Sequence, residues 1–178
     1  MLGTDFTEKK TMLTKERLAA KFHGLARLFP GMPSYQEREA LRDQDKVIRT
    51  QVAGRIDVQT AALDQLKTEF TNRAILSPLA TLDTLCRTLQ RLADSIRFAS
   101  YGYAGLLSSM PVNEAKLAEL YEYDVSLGRG VEQLEQAVRT LRVLPDDQWQ
   151  TDSLQETREA VAGLAKRITE RESIFRGQ

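Results

Sequence analysis

An apolar repeat in the segment after Pro78 constrains the fold of this chain more than any other feature. Its apolar side chains recur at alternating steps of three and four residues, at Leu82, Leu85, Leu89, Leu92, Ile96, Ala99, Tyr103, Leu106 and Met110. Such steps keep side chains on one stripe of an α-helix, and their regular alternation is typical of coiled-coil packing. The segment is therefore predicted to be one long helix whose seam packs against other helices.

Proline-marked breaks divide the chain into five predicted helices. The breaks fall at residues 30–33, 77–78, 110–111 and 145–147, and the helices span about 14–29, 34–76, 78–110 and 112–144, with the fifth starting near residue 153. Nothing interrupts the second helix, which predicts a length of about 64 Å. Ser77 is a favourable N-cap before Pro78, so the third helix is predicted to start there. In the fourth helix, Gly128 predicts a local kink.

Short turns make consecutive helices antiparallel, so residues equally distant from a turn are predicted to meet. This scheme pairs Leu85 with Phe70 across one turn and with Val138 across the next, and it pairs Leu134 with Val161 across the last. Core positions meet core positions at every level, which is typical of a sequence that specifies its fold. The chain is therefore predicted to be all-α and a single domain. Residues 34–178 form an elongated antiparallel up-down-up-down four-helix bundle, and residues 1–33 add a tail and a basic N-terminal amphipathic helix.

One level of the predicted bundle departs from the Leu and Val pattern. Tyrosines and two opposite charges gather there, namely Tyr101, Tyr103, Tyr121, Tyr123, Asp124 and Arg171, beside small residues that include Gly54 and Ala99. The favoured interpretation is structural: the rings fill the space that the small residues leave, and Arg171 neutralises the buried Asp124. The alternative is a small-molecule pocket between the helices, which is a common place for one in bundles.

The first predicted helix combines an apolar stripe with a basic surface. The residues that make it a candidate membrane-binding or partner-binding helix are Lys15, Arg17, Leu18, Lys21, Phe22, Leu25, Arg27 and Phe29. Such a helix can lie on an anionic membrane or in a partner's groove. We favour docking on its own bundle, because the acid-rich stretch 113–135 is predicted to lie at the same end and an apolar stripe usually belongs to its own core.

Composition and motifs argue against several classes of function. Lys plus Arg equals Asp plus Glu, at 25 each, whereas nucleic-acid binders usually carry a basic surplus. One histidine, His23, and one cysteine, Cys86, are too few for the usual zinc or di-iron ligand sets, so no metal and no cofactor are predicted. No catalytic constellation is apparent, and the chain is predicted not to be an enzyme. The single cysteine favours a reducing compartment, taken as the cytoplasm.

These observations predict a non-enzymatic helical scaffold or adaptor that acts through protein–protein contacts. A protein partner or self-association is expected, and nucleic acid is not. Two alternatives remain open at this point. One is a small-molecule sensor that uses the tyrosine level, and the other is a peripheral membrane protein led by the first helix, which is not favoured.

Overall fold

Four α-helices make up most of the part of the chain that the computed structural model describes, which comprises residues 27–30, 38–99, 114–145, 148–149 and 151–176. They are α1 (Arg38–Asn72), α2 (Leu79–Phe98), α3 (Glu114–Arg142) and α4 (Gln155–Arg176), with a short 3-10 helix at Thr151–Leu154 before α4. No strand occurs among these residues. The predicted all-α bundle is therefore confirmed.

The helices run up, down, up and down, as predicted. Arg49 and Lys67 of α1 contact Ala99 and Asp83 respectively, so α1 and α2 are antiparallel. Residues 55 and 62 of α1 meet residues 135 and 142 of α3, so those two helices are parallel. In the same way, Thr81 meets Arg158 and residue 88 lines a groove with residue 165, so α2 and α4 are parallel.

The neighbour relations within the bundle differ from the prediction. The closely packed pairs in the described part are α1 with α2, α3 with α4, α1 with α3, and α2 with α4, so α2 and α3 lie on a diagonal. The predicted side-by-side pairing of Leu85 with Val138 is therefore wrong. A second departure is that α2 ends at Phe98, with Ala99 as its C-cap, before the predicted end at residue 110.

The apolar seams of all four helices meet in one continuous core. Its fully buried members include Ile48, Val52, Ile56, Leu63, Leu82, Leu89, Val131, Leu134, Leu154 and Leu164. The burial of such stripes is the main force that holds a helical bundle together. At the end of the bundle near the last turn, the Trp149 ring stands edge-on to Phe70 with the ring centroids 4.4 Å apart.

The turn between α1 and α2 shifts these helices out of the predicted register. Ala74 adopts a left-handed φ of 55°, its N–H donates to the carbonyl of Thr71 at 3.2 Å, and the N–H of Ile75 donates to the carbonyl of Phe70 at 2.9 Å. This Schellman arrangement ends the helix at Asn72, before the predicted end at residue 76. The centre of the turn therefore lies earlier than the symmetric scheme assumed.

The consequence is visible on α2. Cys86 lies against the carbonyl of Thr60, with a sulfur–oxygen distance of 3.9 Å, so the predicted meeting of the adjacent Leu85 with Phe70 is wrong. The start of α2 also differs. Pro78 occupies the N-cap position and no side chain caps the first turn, so the predicted cap by Ser77 is wrong.

Gly128 accommodates the N-terminal segment, and α3 is one continuous helix from Glu114 to Arg142. The kink at Gly128 stays a prediction. The Phe29 ring is fully buried, and a Cβ built on Gly128 would lie 3.2 Å from it and 3.0 Å from a methyl carbon of Leu28. The side chain of Gln51 also donates to the carbonyl of Pro30 at 2.9 Å. The end of the N-terminal segment therefore packs on its own bundle, against α1 and α3.

Filling this notch should destabilise the protein. Gly128→Leu is expected to lower the free energy of unfolding by about 1–3 kcal/mol, the usual range for overpacking, because Phe29 has to move. Gly54→Leu is the matched control: Gly54 is also a helix glycine, but it is exposed with no atom within 4 Å of an added Cβ. In that control the free energy of unfolding should rise by about 0.5–1 kcal/mol, because leucine has a higher helix propensity than glycine. Urea unfolding followed by circular dichroism measures both, and equal stability of the two variants would contradict the docking of Phe29.

Candidate functional site

The described members of the predicted tyrosine level lie inside the bundle. On α3, Asp124 is fully buried, Tyr121 is buried and Tyr123 is half-buried. Tyr101 and Tyr103 lie outside the described residues. Arg171 falls within α4, but its side chain is also outside them.

The register between α3 and α4 agrees with the predicted partner of Asp124. A Cβ on Gly130 would contact Leu164 and Arg167, each at 3.2 Å. Because α3 and α4 are antiparallel, a step of six residues back from Gly130 corresponds to a step of six residues onward in α4. Asp124 therefore lies at about the level of residue 171. The ion pair between Asp124 and Arg171 stays a prediction.

Asp45 is a second buried carboxylate at this level, and sequence reasoning missed it. The Arg55–Glu135 pair offsets the numbering of the parallel helices α1 and α3 by 80 residues, so Asp45 stands at the level of Asp124. Only 4% of Asp45 is exposed. The signal was present, since Asp45 stands four residues after Leu41 and three before Ile48, where the seam of α1 requires a core residue.

The Arg49 guanidinium forms hydrogen bonds with the Asp45 carboxylate and with the C-terminal end of α2. Its Nε donates to Oδ2 of Asp45 at 2.8 Å, and one terminal nitrogen donates to the carbonyl of Ala99 at 3.0 Å. Carbonyls at a helix C-terminus lack intrahelical partners and carry partial negative charge, so a guanidinium is well placed there. The Asp45 carboxylate is therefore matched by a base of its own helix, as a buried charge requires.

Gly54 does not contribute to this level, which corrects the prediction. It is exposed on the surface of α1, and the same offset places it beside residue 134 of α3, ten residues from Asp124. Small residues at this level therefore do not include Gly54.

Most of the candidate membrane-binding or partner-binding helix lies outside the described residues, including Lys15, Arg17, Leu18, Lys21, Phe22 and Leu25. Of its remaining members, Arg27 is exposed and Phe29 is buried against α3. The apolar stripe of that helix therefore ends in the core of its own bundle.

A surface furrow between α1 and α3 carries the other notable group of side chains. We call it the valine–arginine face, and it consists of Val58, Gln59, Ala62, Glu135, Val138, Arg139, Arg142 and Val143. These residues surround a volume of about 420 Å³. Val58 is 63% exposed and Val143 is 75% exposed, so each presents apolar surface to solvent at this furrow.

Of the charged side chains of this face, Glu135 has an ion-pair partner, whereas Arg139 and Arg142 have none among the described residues. Arg55 donates to both carboxylate oxygens of Glu135, at 2.7 and 2.8 Å, and this hydrogen bonding raises the pKa of the Arg55 guanidinium above its ordinary value. Glu135 would otherwise be the natural partner of Arg139, four residues further along α3. Within the described part of the chain, no carboxylate lies within salt-bridge distance of Arg139 or Arg142.

The seam between α1 and α2 provides a contrast. There Lys67 pairs with Asp64 at 2.7 Å and with Asp83 at 3.5 Å, and Arg97 pairs with Asp57 and Asp94. The basic side chains of that seam are therefore neutralised within the chain. The valine–arginine face combines exposed apolar surface with two exposed arginines, for which the described residues provide no carboxylate within salt-bridge distance.

The described residues offer little for other chemistry. They contain no group of three or more His, Cys, Asp or Glu side chains placed to hold a metal ion. Cys86 is buried, and this burial raises the pKa of its thiol. Over the described helices, no stretch has both the length and the apolarity that crossing a membrane requires.

Comparison with known proteins adds no assignment. No family model, no curated protein and no solved structure matches this chain.

Proposed function

We propose that this protein is a non-enzymatic helical scaffold or adaptor that binds a protein partner through the valine–arginine face. One observation carries the proposal: Val58 and Val143 expose apolar surface around one furrow, beside Arg139 and Arg142. A single exposed valine on a protein surface is ordinary, but apolar surface gathered around a furrow and rimmed by charge is typical of interaction sites.

The rigidity of the surroundings also supports this proposal. Val138, which lies at the base of the face, is 1% exposed and belongs to the core, and the Arg55–Glu135 pair ties α1 to α3 beside it. A surface built on two packed helices changes little when a partner binds, so less binding energy is lost to ordering. Arginines at the rim can select partners by charge and raise the rate of association.

Site-specific photo-crosslinking tests the proposal. A photoreactive amino acid at Gln59, within the face, is expected to give a discrete adduct with a protein in the cells from which the chain comes. The same amino acid at Gln90, exposed on α2, is the matched control and should not give that adduct. The double substitution Val58→Asp and Val143→Asp should abolish the adduct while changing stability by no more than about 0.5 kcal/mol, because both side chains are exposed.

Binding must then be reproduced with the purified partner. We expect the double valine variant to weaken the Kd at least about tenfold, which corresponds to about 1.4 kcal/mol. An adduct that forms equally from Gln59 and Gln90, or a Kd that the valine substitutions leave unchanged, would refute binding at this face.

The small-molecule sensor is a second candidate, and one observation favours it. Two carboxylates, Asp45 and Asp124, are buried at the same level of the parallel helices α1 and α3. Ligand pockets between helices use a few well-placed polar groups, and a buried carboxylate can be one of them. The Arg49 side chain already matches Asp45, so we rank this candidate below the scaffold. The membrane alternative rests on the segment 15–25, outside the described residues, and stays a prediction.

A further inference from the structure

We infer that the valine–arginine face binds an acidic amphipathic helix of a partner protein, seated along the furrow between α1 and α3. This inference rests on the proposed function and specifies the chemistry of the partner. Its observations are the shape of the furrow, the apolar side chains within it and the position of the two arginines on one of its rims.

The furrow has the length of a short helical segment. On α3 it extends from Glu135 to Arg142, which is about 10 Å at 1.5 Å per residue, and Val143 follows directly after the helix. A helix lying along it presents about two turns to the surface. The apolar side chains of the face, Val58, Ala62 and Val143, would then contact apolar residues of the partner helix spaced by three, four and seven positions.

The charges of the face define which side of the partner helix must be acidic. Arg139 and Arg142 are three residues apart, so they lie on the same side of α3 and form the rim of the furrow on that side. The rim on the α1 side presents the neutral Gln59, and the nearby Arg55 is already held by Glu135. We therefore expect acids on one flank of the apolar stripe, spaced by three or four residues, and neutral residues on the other flank.

The same charges argue against a second copy of this chain as the occupant. A twofold-symmetric dimer brings the same patch of both copies together. Such a dimer would gather the Arg139 and Arg142 side chains of both copies in one interface, and the juxtaposition of like charges at an interface is costly. A partner with carboxylates avoids this repulsion and gives the arginines the hydrogen-bond acceptors that the described part of the chain does not provide.

A second furrow, between α2 and α4, lacks a comparable signal. It is lined mainly by alanines and threonines, with the buried Leu85 and Val161 at its base. The hydroxyls of Thr84 and Thr88 donate to carbonyls of their own helix at 2.9 Å. The Arg158 guanidinium at its edge donates to Thr81, also at 2.9 Å. Its groups therefore specify no partner chemistry, whereas the valine–arginine face does.

A set of synthetic helical peptides tests the inference with the whole 178-residue chain. Three peptides, each about three turns long and fluorescently labelled, share one apolar stripe and carry glutamate, glutamine or lysine on one flank. Fluorescence anisotropy should show that the glutamate peptide binds at least about tenfold more tightly than the glutamine peptide, and that this advantage shrinks as salt is added. The lysine peptide should bind most weakly.

Charge reversal of the protein makes the test specific for this face. With Arg139→Glu and Arg142→Glu together, the preference should invert, so that the lysine peptide binds more tightly than the glutamate peptide. The matched control is Arg87→Glu with Arg91→Glu, which changes the same charge on the exposed surface of α2 and should leave the preference as it was. Val143→Asp should weaken the glutamate and glutamine peptides alike, because it removes shared apolar contact.

Two results would overturn the inference: equal binding of the glutamate and glutamine peptides, or a preference that Arg139→Glu with Arg142→Glu leaves unchanged. Binding to anionic lipid vesicles that depends on these arginines and displaces the glutamate peptide would also overturn it, in favour of a membrane surface. These failures are distinct from failure of the proposed function. If crosslinking from Gln59 still captures a partner whose binding requires Val58 and Val143, the proposed scaffold function is supported, and only the inference of an acidic helix as the partner is refuted.

Discussion

Replacing Leu89 with alanine is expected to lower the free energy of unfolding by about 2–5 kcal/mol, the usual range for a large-to-small change in a core. Leu89 is fully buried and lies at the middle of the α2 seam, in the cluster that all four helices share. Alanine removes the apolar contact and leaves a cavity that a well-packed core fills only in part. For a domain with the usual stability of about 5–15 kcal/mol, such a loss is a large fraction of the total.

Urea unfolding followed by circular dichroism at 222 nm, the wavelength that reports helix, measures this loss as a shift of the midpoint at constant slope. The matched control is Gln90→Ala, the next residue of α2, which is exposed and should change stability by no more than about 0.5 kcal/mol. A loss below about 0.5 kcal/mol for Leu89→Ala would contradict the burial of the seam in the monomer.

Arg171→Leu is expected to cost about 3–5 kcal/mol, because removing one partner of a buried ion pair leaves the other charge unmatched. Asp124 is fully buried in α3, and the register at Gly130 places residue 171 near its level. Replacing both residues together with leucine should cost much less than the sum of the single changes. The same denaturation experiment, run as a double-mutant cycle, should therefore give a coupling free energy of about 0.5–3 kcal/mol or more.

A second cycle provides the control for this experiment. Lys166 is an exposed base of α4 whose nearest described acid is Glu170 at 3.8 Å, so Asp124→Leu and Lys166→Leu should be additive. Coupling near zero in the Asp124–Arg171 cycle would refute the pair. If Asp124→Asn instead leaves stability unchanged but removes the thermal stabilisation given by a bound small molecule, the sensor gains support, because binding to the folded state raises stability by mass action.

The helices and their directions follow from the amino-acid sequence without further information. Steps of three and four in the apolar residues are a local property of the chain, and burial of each stripe makes a helix and gives it an inner face. Leu82, Leu85 and Leu89 of α2 are buried as this pattern predicts. The spacing of the α3 seam is also enough to identify Asp124 as a buried charge, because it stands where the pattern requires a core residue.

Tertiary packing determines which helices are neighbours and which surfaces remain exposed. Hydrophobic burial is not directional, so several stripes rich in Leu and Val can exchange neighbours at little cost. In the packed bundle α3 lies beside α1, and the turn at Ala74 sets the register of α2. The N-terminal segment then fills the notch at Gly128 with Phe29.

The valine–arginine face arises from the same long-range choice. In the sequence, Glu135 is the natural helical partner of Arg139, and Val58 and Val143 are ordinary apolar residues. Because α1 packs beside α3, Arg55 reaches Glu135 and takes both of its oxygens, so Arg139 loses the acid nearest to it in its own helix. The same packing brings Val58 and Val143 to one furrow, more than 80 residues apart in the chain. The local periodicity of the sequence cannot predict that Val58 and Val143 lie at one furrow. Their proximity depends on which helices pack together and in what register.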